Sequence, residues 1–263
     1  MQGRGRGFES LQLHQKRRKM HKIEIVAEIG INCGGMTNFA KNLILLAKKA
    51  GADCAKFQLY SVDALFPDKQ IMSQGMNWFE EVKPTELTYE QVCQLAEYCK
   101  EVGIEFMASA FDIERVGWLE DVGVKKHKVA SRMNNNKELI DAMFNTGKEI
   151  LVSCKQRDIT YAFWQPQNKR NKVKWLYCIP EYPTSLDKLG FDNINFPDKF
   201  QGFSDHTVGI EASIVAMSRG ATIIEKHFCY IRDHAINPDM VCSIEADELR
   251  QLVQWARKIE EMI

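Results

Sequence analysis

The chain has 263 residues, 45% of them hydrophobic and 27% charged. That is enough apolar sequence to bury a large core, either as one α/β barrel or as two smaller domains. Basic and acidic side chains balance at 35 each, which argues against a general nucleic-acid or acidic-membrane binder but leaves room for a local basic pocket. No apolar run reaches the length of a membrane span.

The first 22 residues, MQGRGRGFESLQLHQKRRKMHK, are basic, glycine-rich and aperiodic, and they lack the apolar centre of a signal peptide. They read as a disordered arm or expression leader, with Met20 as the expected start and residues 23–263 as one catalytic domain. From Ile23 onward short β-like runs alternate with helical patterns. IEIVAEI (23–29) predicts the first strand, and FAKNLILLAKKAGA an amphipathic helix ended by Gly51. CAKFQ (54–58) predicts the second strand, and 59–87 a long loop. A helix capped by Thr88 and stopped by Gly103 follows. IEFMASA, KHKVAS and EILVS predict strands three to five, with helices at DIERVGWLEDVG and NKELIDAMFNTG between them. A weakly marked helix at 158–172 precedes KVKWLYC, the sixth strand. After a proline-rich link at 179–199 come FQGFS, the helix GIEASIVAMSRGA, TIIEKHF and a long final helix.

Short apolar strands separated by helices predict a parallel sheet covered on its outer face. Eight such units point to a closed (β/α)₈ TIM barrel. The competing open, doubly wound sheet would show a G-x-G-x-x-G turn after the first strand, and AEIGINCGG lacks that spacing. The eight cysteines contain no C-x-x-C pair and most lie in apolar runs. This fits reduced, buried thiols in a cytoplasmic protein.

In this barrel class the active site gathers at the C-terminal strand ends. There the sequence places Glu28, Lys56, Gln58, Ser109, Asp112, Lys128, Ser131, Ser153, Tyr182, Ser204, Asp205, His206, Glu225, Lys226 and His227. A charged residue at one strand end is ordinarily a solvated rim; polar groups at nearly every end are not. Side chains alternate along a strand. Ser204 and His206 therefore share one face, as do Glu225 and His227, while Asp205 and Lys226 point the other way. Two imidazoles on neighbouring strands, about 4.8 Å apart, can share a divalent first-row metal such as Mn²⁺, Fe²⁺ or Zn²⁺; hydrogen-bonded core histidines are the alternative. Lys56 and Lys128 at apolar strand ends suit either a Schiff base or an anion held electrostatically. The serines around them favour a phosphate or phosphoenol.

The stretches AEIGIN, GADCAKFQ, KVAS, YPTS, GFSDHTVGIEASI, IIEKHF and NPDMVCSIEADEL resemble the N-acetylneuraminate (sialic acid) synthase family from about Ile23 to Ile263. The resemblance implies condensation of phosphoenolpyruvate with an N-acetylated aldose, such as N-acetylmannosamine or a relative, giving a sialic-acid-like nonulosonic acid plus phosphate. It further implies a metal, Mn²⁺ first, on His206 and His227. Lys56, Gln58, Ser109, Lys128, Ser131, Ser153 and Ser204 fall to substrate binding, and Glu28, Glu225, Tyr182 and Asp239 to catalytic contacts with sugar or water. A homodimer is also implied.

The sequence departs from the family pattern at several places. Cys33 stands where a His is usual, SAFD where Thr-Pro is common, Lys155 where Gly is usual, and Pro180 where Asn or Ser is usual. The C-terminal antifreeze-like domain of the family is not found after the eighth helix. These changes fall on the sugar side and imply a different acceptor or a separately supplied domain. A metal-dependent aldolase or lyase and a non-catalytic sugar-binding relative are the competing readings.

Overall fold

Eight of the apolar runs close into a ring of parallel strands. The structure, a computed structural model, describes residues 22–73, 75–155, 173–232 and 237–262. The predicted helix at 158–172 lies outside these, as does the predicted N-terminal arm apart from Lys22. The barrel strands are β1 (Glu24–Gly30), β2 (Cys54–Leu59), β5 (Glu105–Ala110), β6 (Lys126–Val129), β7 (Glu149–Cys154), β8 (Val173–Cys178), β9 (Gly202–Asp205) and β10 (Ile223–His227). Each pairs with its neighbour in that order, and β10 returns to β1. The fold is therefore the (β/α)₈ barrel that the alternation of runs predicts.

Helices α1 (Thr37–Ala50), α4 (Tyr89–Val102), α5 (Ile113–Asp121), α6 (Lys137–Asn145), α7 (Glu211–Ser218) and α8 (Ala246–Met262) join or follow the strands. Their ends follow local chemistry. The Thr88 hydroxyl accepts from the Gln91 amide while the Gln91 side chain accepts from the Thr88 amide, a complete capping box for α4. α1 stops because Gly51 adopts φ 96°, a left-handed turn that a side chain disfavours.

The link at 59–87 differs from the expected loop. It contains α2 (Val62–Leu65), the hairpin β3 (Met72–Ser73) and β4 (Met76–Asn77), and α3 (Phe79–Val82). Each spans two to four residues, too short to leave a hydrophobic period in the sequence. Leu65 of α2, Met72 and Ser73 of β3 and Val82 of α3 line the same cavity as the strand-end residues.

Inside the barrel Val26, Cys54, Met107, Leu151, Leu176 and Ile223 form a separate buried apolar cluster. Each lies two residues before a polar residue on the same strand: Glu28, Lys56, Ser109, Ser153, Cys178 and Glu225. Alternation therefore stacks a polar layer directly above an apolar plug. At the opposite end Lys126 pairs with Glu24 and lies 3.4 Å from Glu105.

Candidate active site

The polar layer floors a cavity of about 440 Å³, and the residues assigned above to substrate, catalytic and metal roles line it, whereas Asp112, Asp205 and Lys226 of the strand-end set do not. The parallel register brings them together. Glu28 lies beside Lys56 on one side and His227 on the other. Ser109 lies beside Lys128, and Ser204 beside both Glu225 and Cys178. Ser131 follows β6, Tyr182 follows β8, and Asp239 lies between β10 and α8.

Glu225 connects the two lysines. Its Oε2 lies 3.5 Å from Lys56 Nζ and its Oε1 lies 3.7 Å from Lys128 Nζ. Ser204 donates to Oε1 at 2.9 Å. Lys56 also reaches Glu28 at 2.7 Å and donates to the Ser109 hydroxyl at 3.1 Å. Lys128 donates to the Ser153 hydroxyl at 2.8 Å and the Val129 carbonyl at 3.1 Å. The Gln58 amide donates to Glu28 at 3.0 Å and to Asp239 at 3.4 Å.

Burial sets the charges. It pushes the Glu28 carboxyl up to about 7 against the pull of Lys56, with Glu225 adding to the rise. Asp239 rises to about 6 for the same reason, partly offset by Gln58 and Lys56. Burial also works against the Glu225 carboxylate, but Lys128, Lys56 and the Ser204 hydroxyl outweigh it and hold its pKa below the usual value. The lysines diverge. Burial lowers Lys128 despite Glu225, whereas for Lys56 the attraction of Glu225 and Glu28 overcomes burial. One carboxyl able to hold a proton near neutrality thus sits beside an ionised one.

The imidazoles of His206 and His227 lie with ring centroids 5.5 Å apart, and Tyr182 stacks on His206 at 4.1 Å. His206 Nδ1 is 2.8 Å from the Ile179 carbonyl. A carbonyl only accepts, so the proton is on Nδ1 and the Nε2 lone pair is free. This is the pattern of a metal-ligating His whose other nitrogen is fixed by a backbone carbonyl. Burial pushes His206 down to about 4 and His227 well below its usual value, so both rings are neutral at neutral pH. His227 Nδ1 is buried without a hydrogen-bond partner, with Asp239 3.8 Å away. Among the described residues no group of three or more His, Cys, Asp or Glu side chains is placed to hold a metal ion. A divalent cation here would take only two imidazoles from the protein and its other positions from water or substrate oxygens.

Residues missed from the sequence complete the cavity. Arg132, next to Ser131, holds its guanidinium 4.6 Å above the Phe66 ring on the cavity wall, and no carboxylate pairs with it among the described residues. Phe66, Leu65, Ile71 and Val82 from the link at 59–87 supply an apolar side. The proximity of RM to KVAS was the only signal for Arg132. Of the departures noted above, Pro180 and Phe111 of SAFD line the cavity. Cys33 is fully buried with its thiol pushed up by burial, and it acts as apolar filling beside the first loop. Asp112 caps α5 by accepting from the Arg115 amide, and no helix among the described residues is long and apolar enough to cross a membrane.

A sequence profile of the NeuB family matches residues 43–263. N-acetylneuraminate-9-phosphate synthase of Homo sapiens is 30% identical over 260 residues, covering 92% of this chain and 72% of the human protein. N,N'-diacetyllegionaminic acid synthase of Legionella pneumophila is 29% identical over 259 residues, covering 91% and 72%. The crystal structure of an N-acetylneuraminic acid (sialic acid) synthetase from Leptospira borgpetersenii superposes with a TM-score of 0.82 at 28% identity, covering 92% of this chain and 85% of that one. A truncated 3-deoxy-D-arabino-heptulosonate 7-phosphate synthase from Thermotoga maritima shares the fold at 14% identity and a TM-score of 0.65.

Proposed function

This chain belongs to the NeuB family, and we propose that it joins phosphoenolpyruvate to an N-acetylated aldose to form a sialic-acid-like nonulosonic acid and phosphate, in the cytoplasm. The observation that carries this reading is the layout of one cavity. Two buried ammonium groups bracket an ionised carboxylate, with serine hydroxyls and a pair of neutral imidazoles beside them.

Lys56 and Lys128 neutralise the two anionic ends of phosphoenolpyruvate, and Ser109, Ser131, Ser153 and Ser204 supply hydroxyl donors for phosphate oxygens. Gln58, Tyr182 and Asp239 contact the sugar or the reacting water. His206 and His227 would hold a divalent cation, Mn²⁺ in this reading, which when bound polarises the acceptor aldehyde. The nucleophilic C3 attacks the aldehyde carbon. As that C–C bond forms, the aldehyde oxygen takes a proton, and Glu28 is the carboxyl whose pKa of about 7 lets it carry one. C2 gains oxocarbenium character, for which the Glu225 carboxylate provides a fixed negative charge. Water adds to C2 and gives up a proton. The C2–O bond to phosphate then breaks, and the new hydroxyl becomes the keto group as its proton leaves. The apolar side supplied by the link at 59–87 keeps bulk water from competing.

The test incubates the protein with Mn²⁺, phosphoenolpyruvate and a panel of neutral and phosphorylated N-acetylated aldoses, and measures phosphate release. Aldose-dependent release is expected. Phosphoenolpyruvate binding with no aldose-stimulated release would favour a non-catalytic sugar-binding protein, and absence of phosphoenolpyruvate binding would overturn the reading.

A further inference from the structure

Asp205 and Lys226 lie outside the cavity, yet both side chains are completely buried. The alternation that turns Ser204 and Glu225 inward turns these two into the layer beneath α7. Asp205 Oδ2 accepts from the Ser213 hydroxyl of α7 at 2.6 Å. Its Oδ1 accepts from the Thr207 amide at 2.8 Å and the Thr207 hydroxyl at 2.7 Å, and lies 3.3 Å from Lys226 Nζ. Lys226 in turn donates to the Thr207 carbonyl. Ala212, Ala216 and Met217 of α7 are buried apolar residues, so this layer already has an apolar solution available.

A buried ion pair is often no more stable than apolar side chains of the same volume, because desolvation offsets the attraction. What the pair adds is direction. Its bonds tie the turn 205–207, which brackets His206, to the strand position immediately before His227. The His206 carbonyl also accepts from the Thr184 amide at 2.8 Å, tying in the loop that stacks Tyr182 on His206. We propose that Asp205 and Lys226 are positioning residues that hold the two imidazoles at their 5.5 Å spacing, and so set the affinity of the divalent-cation site. The affinity part rests on the functional reading above; the positioning part does not.

The test replaces both charges with apolar groups, Asp205→Leu with Lys226→Met, in the full chain. The double variant is expected to fold with a Tm close to that of the unaltered protein. Titration of the metal-free protein with Mn²⁺ is expected to show affinity weakened by about 10–100-fold, the usual effect of losing groups that orient ligands from behind. Imidazole ¹⁵N spectra of the metal-free protein give a readout independent of cation and turnover. They should show His206 fixed as the Nδ1–H tautomer in the unaltered protein and exchanging between tautomers in the variant. A folded double variant with unchanged Mn²⁺ affinity and an unchanged His206 signal overturns the proposal. If the unaltered protein takes up no Mn²⁺, the cation reading falls, and the tautomer comparison alone decides the positioning role. Should the double variant fail to fold, Ser213→Ala and Thr207→Val each remove one hydrogen bond to Asp205 without stranding a charge. Both are expected to move the same two readouts in the same direction, and unchanged readouts in both would overturn the proposal.

Discussion

Lys128 is a side chain whose chemistry depends on its surroundings. Burial depresses its pKa and Glu225 partly restores it, so the ammonium is poised to gain when a phosphate arrives. A charge-assisted bond of this kind contributes about 1.5–3 kcal/mol. Lys128→Met is therefore expected to weaken phosphoenolpyruvate binding by roughly 10–100-fold by calorimetry, and near-normal binding would remove Lys128 from the anion site. Glu28 makes a pH prediction. Its folded-state pKa, raised to about 7 chiefly by burial, lies above the unfolded carboxylate value. The stability linked to this group is then fully present below the unfolded pKa and is lost as pH rises through about 7. Glu28→Gln removes that titration, so the fall in unfolding free energy between pH 5 and pH 8 should be smaller in the variant than in the unaltered protein. Equal falls by urea denaturation at the two pH values would show that Glu28 is already ionised. This acidic residue was legible in the sequence as a strand-end group, but its elevated pKa was not, because that depends on what the other strands bring around it.

Strands and helices are locked together at the opposite end of the barrel, and there the carboxylate logic reverses. Asp53, between α1 and β2, accepts from the Ile25 amide at 2.9 Å, pairs with Lys22 at 2.5 Å and meets Arg257 of α8 at 2.9 Å. Burial raises its pKa, but the Ile25 amide, Lys22 and Arg257 outweigh that and hold it below the usual value. A depressed carboxylate contributes stability that is present above its unfolded pKa and lost as pH falls through its folded one. Asp53→Asn should cost about 1–3 kcal/mol at neutral pH, and the gap to the unaltered protein should close as pH drops below about 4. A gap that stays constant in acid would mean the loss is one of shape rather than charge. At this scale the apolar runs predicted barrel strands to within a residue or two at most boundaries, and Thr88 and Gly103 marked α4 directly. The elements between 59 and 87 were not legible. A helix of four residues and strands of two are held by contacts between residues well apart in the chain, such as the Val62 amide donating to the Glu86 carboxylate and Lys83 pairing with Asp63, and not by local periodicity.

The molecule as a whole behaves as a ring closed at both termini of its described residues. The Ile23 amide donates to Glu260 and Arg257 donates to the Ile23 carbonyl, joining the start of β1 to α8. The eight-strand closure and the polar rim could be read from the sequence because both follow from alternation. That Asp205 and Lys226 turn outward could be read in the same way; that they join Thr207 and Ser213 in one bonded group could not, since that requires β9, β10 and α7 in place. A closed ring has no free sheet edge, so a ligand gripped by Lys56 on β2, Lys128 on β6 and Ser204 on β9 braces strands spread around the barrel. Binding to the native state alone adds about 2.7 kcal/mol when ligand is at 100 times its Kd. For a protein of this size each kcal/mol moves Tm by about 2–4 °C. Saturating phosphoenolpyruvate should therefore raise Tm by about 5–10 °C in a single transition, with most of the shift absent in Lys128→Met. A separate transition that ligand leaves unmoved would show that the ring does not unfold as one unit. If neither protein shifts at millimolar phosphoenolpyruvate, the two ammonium groups serve Glu225 and Glu28 alone, and the cavity is built for something other than an enol phosphate.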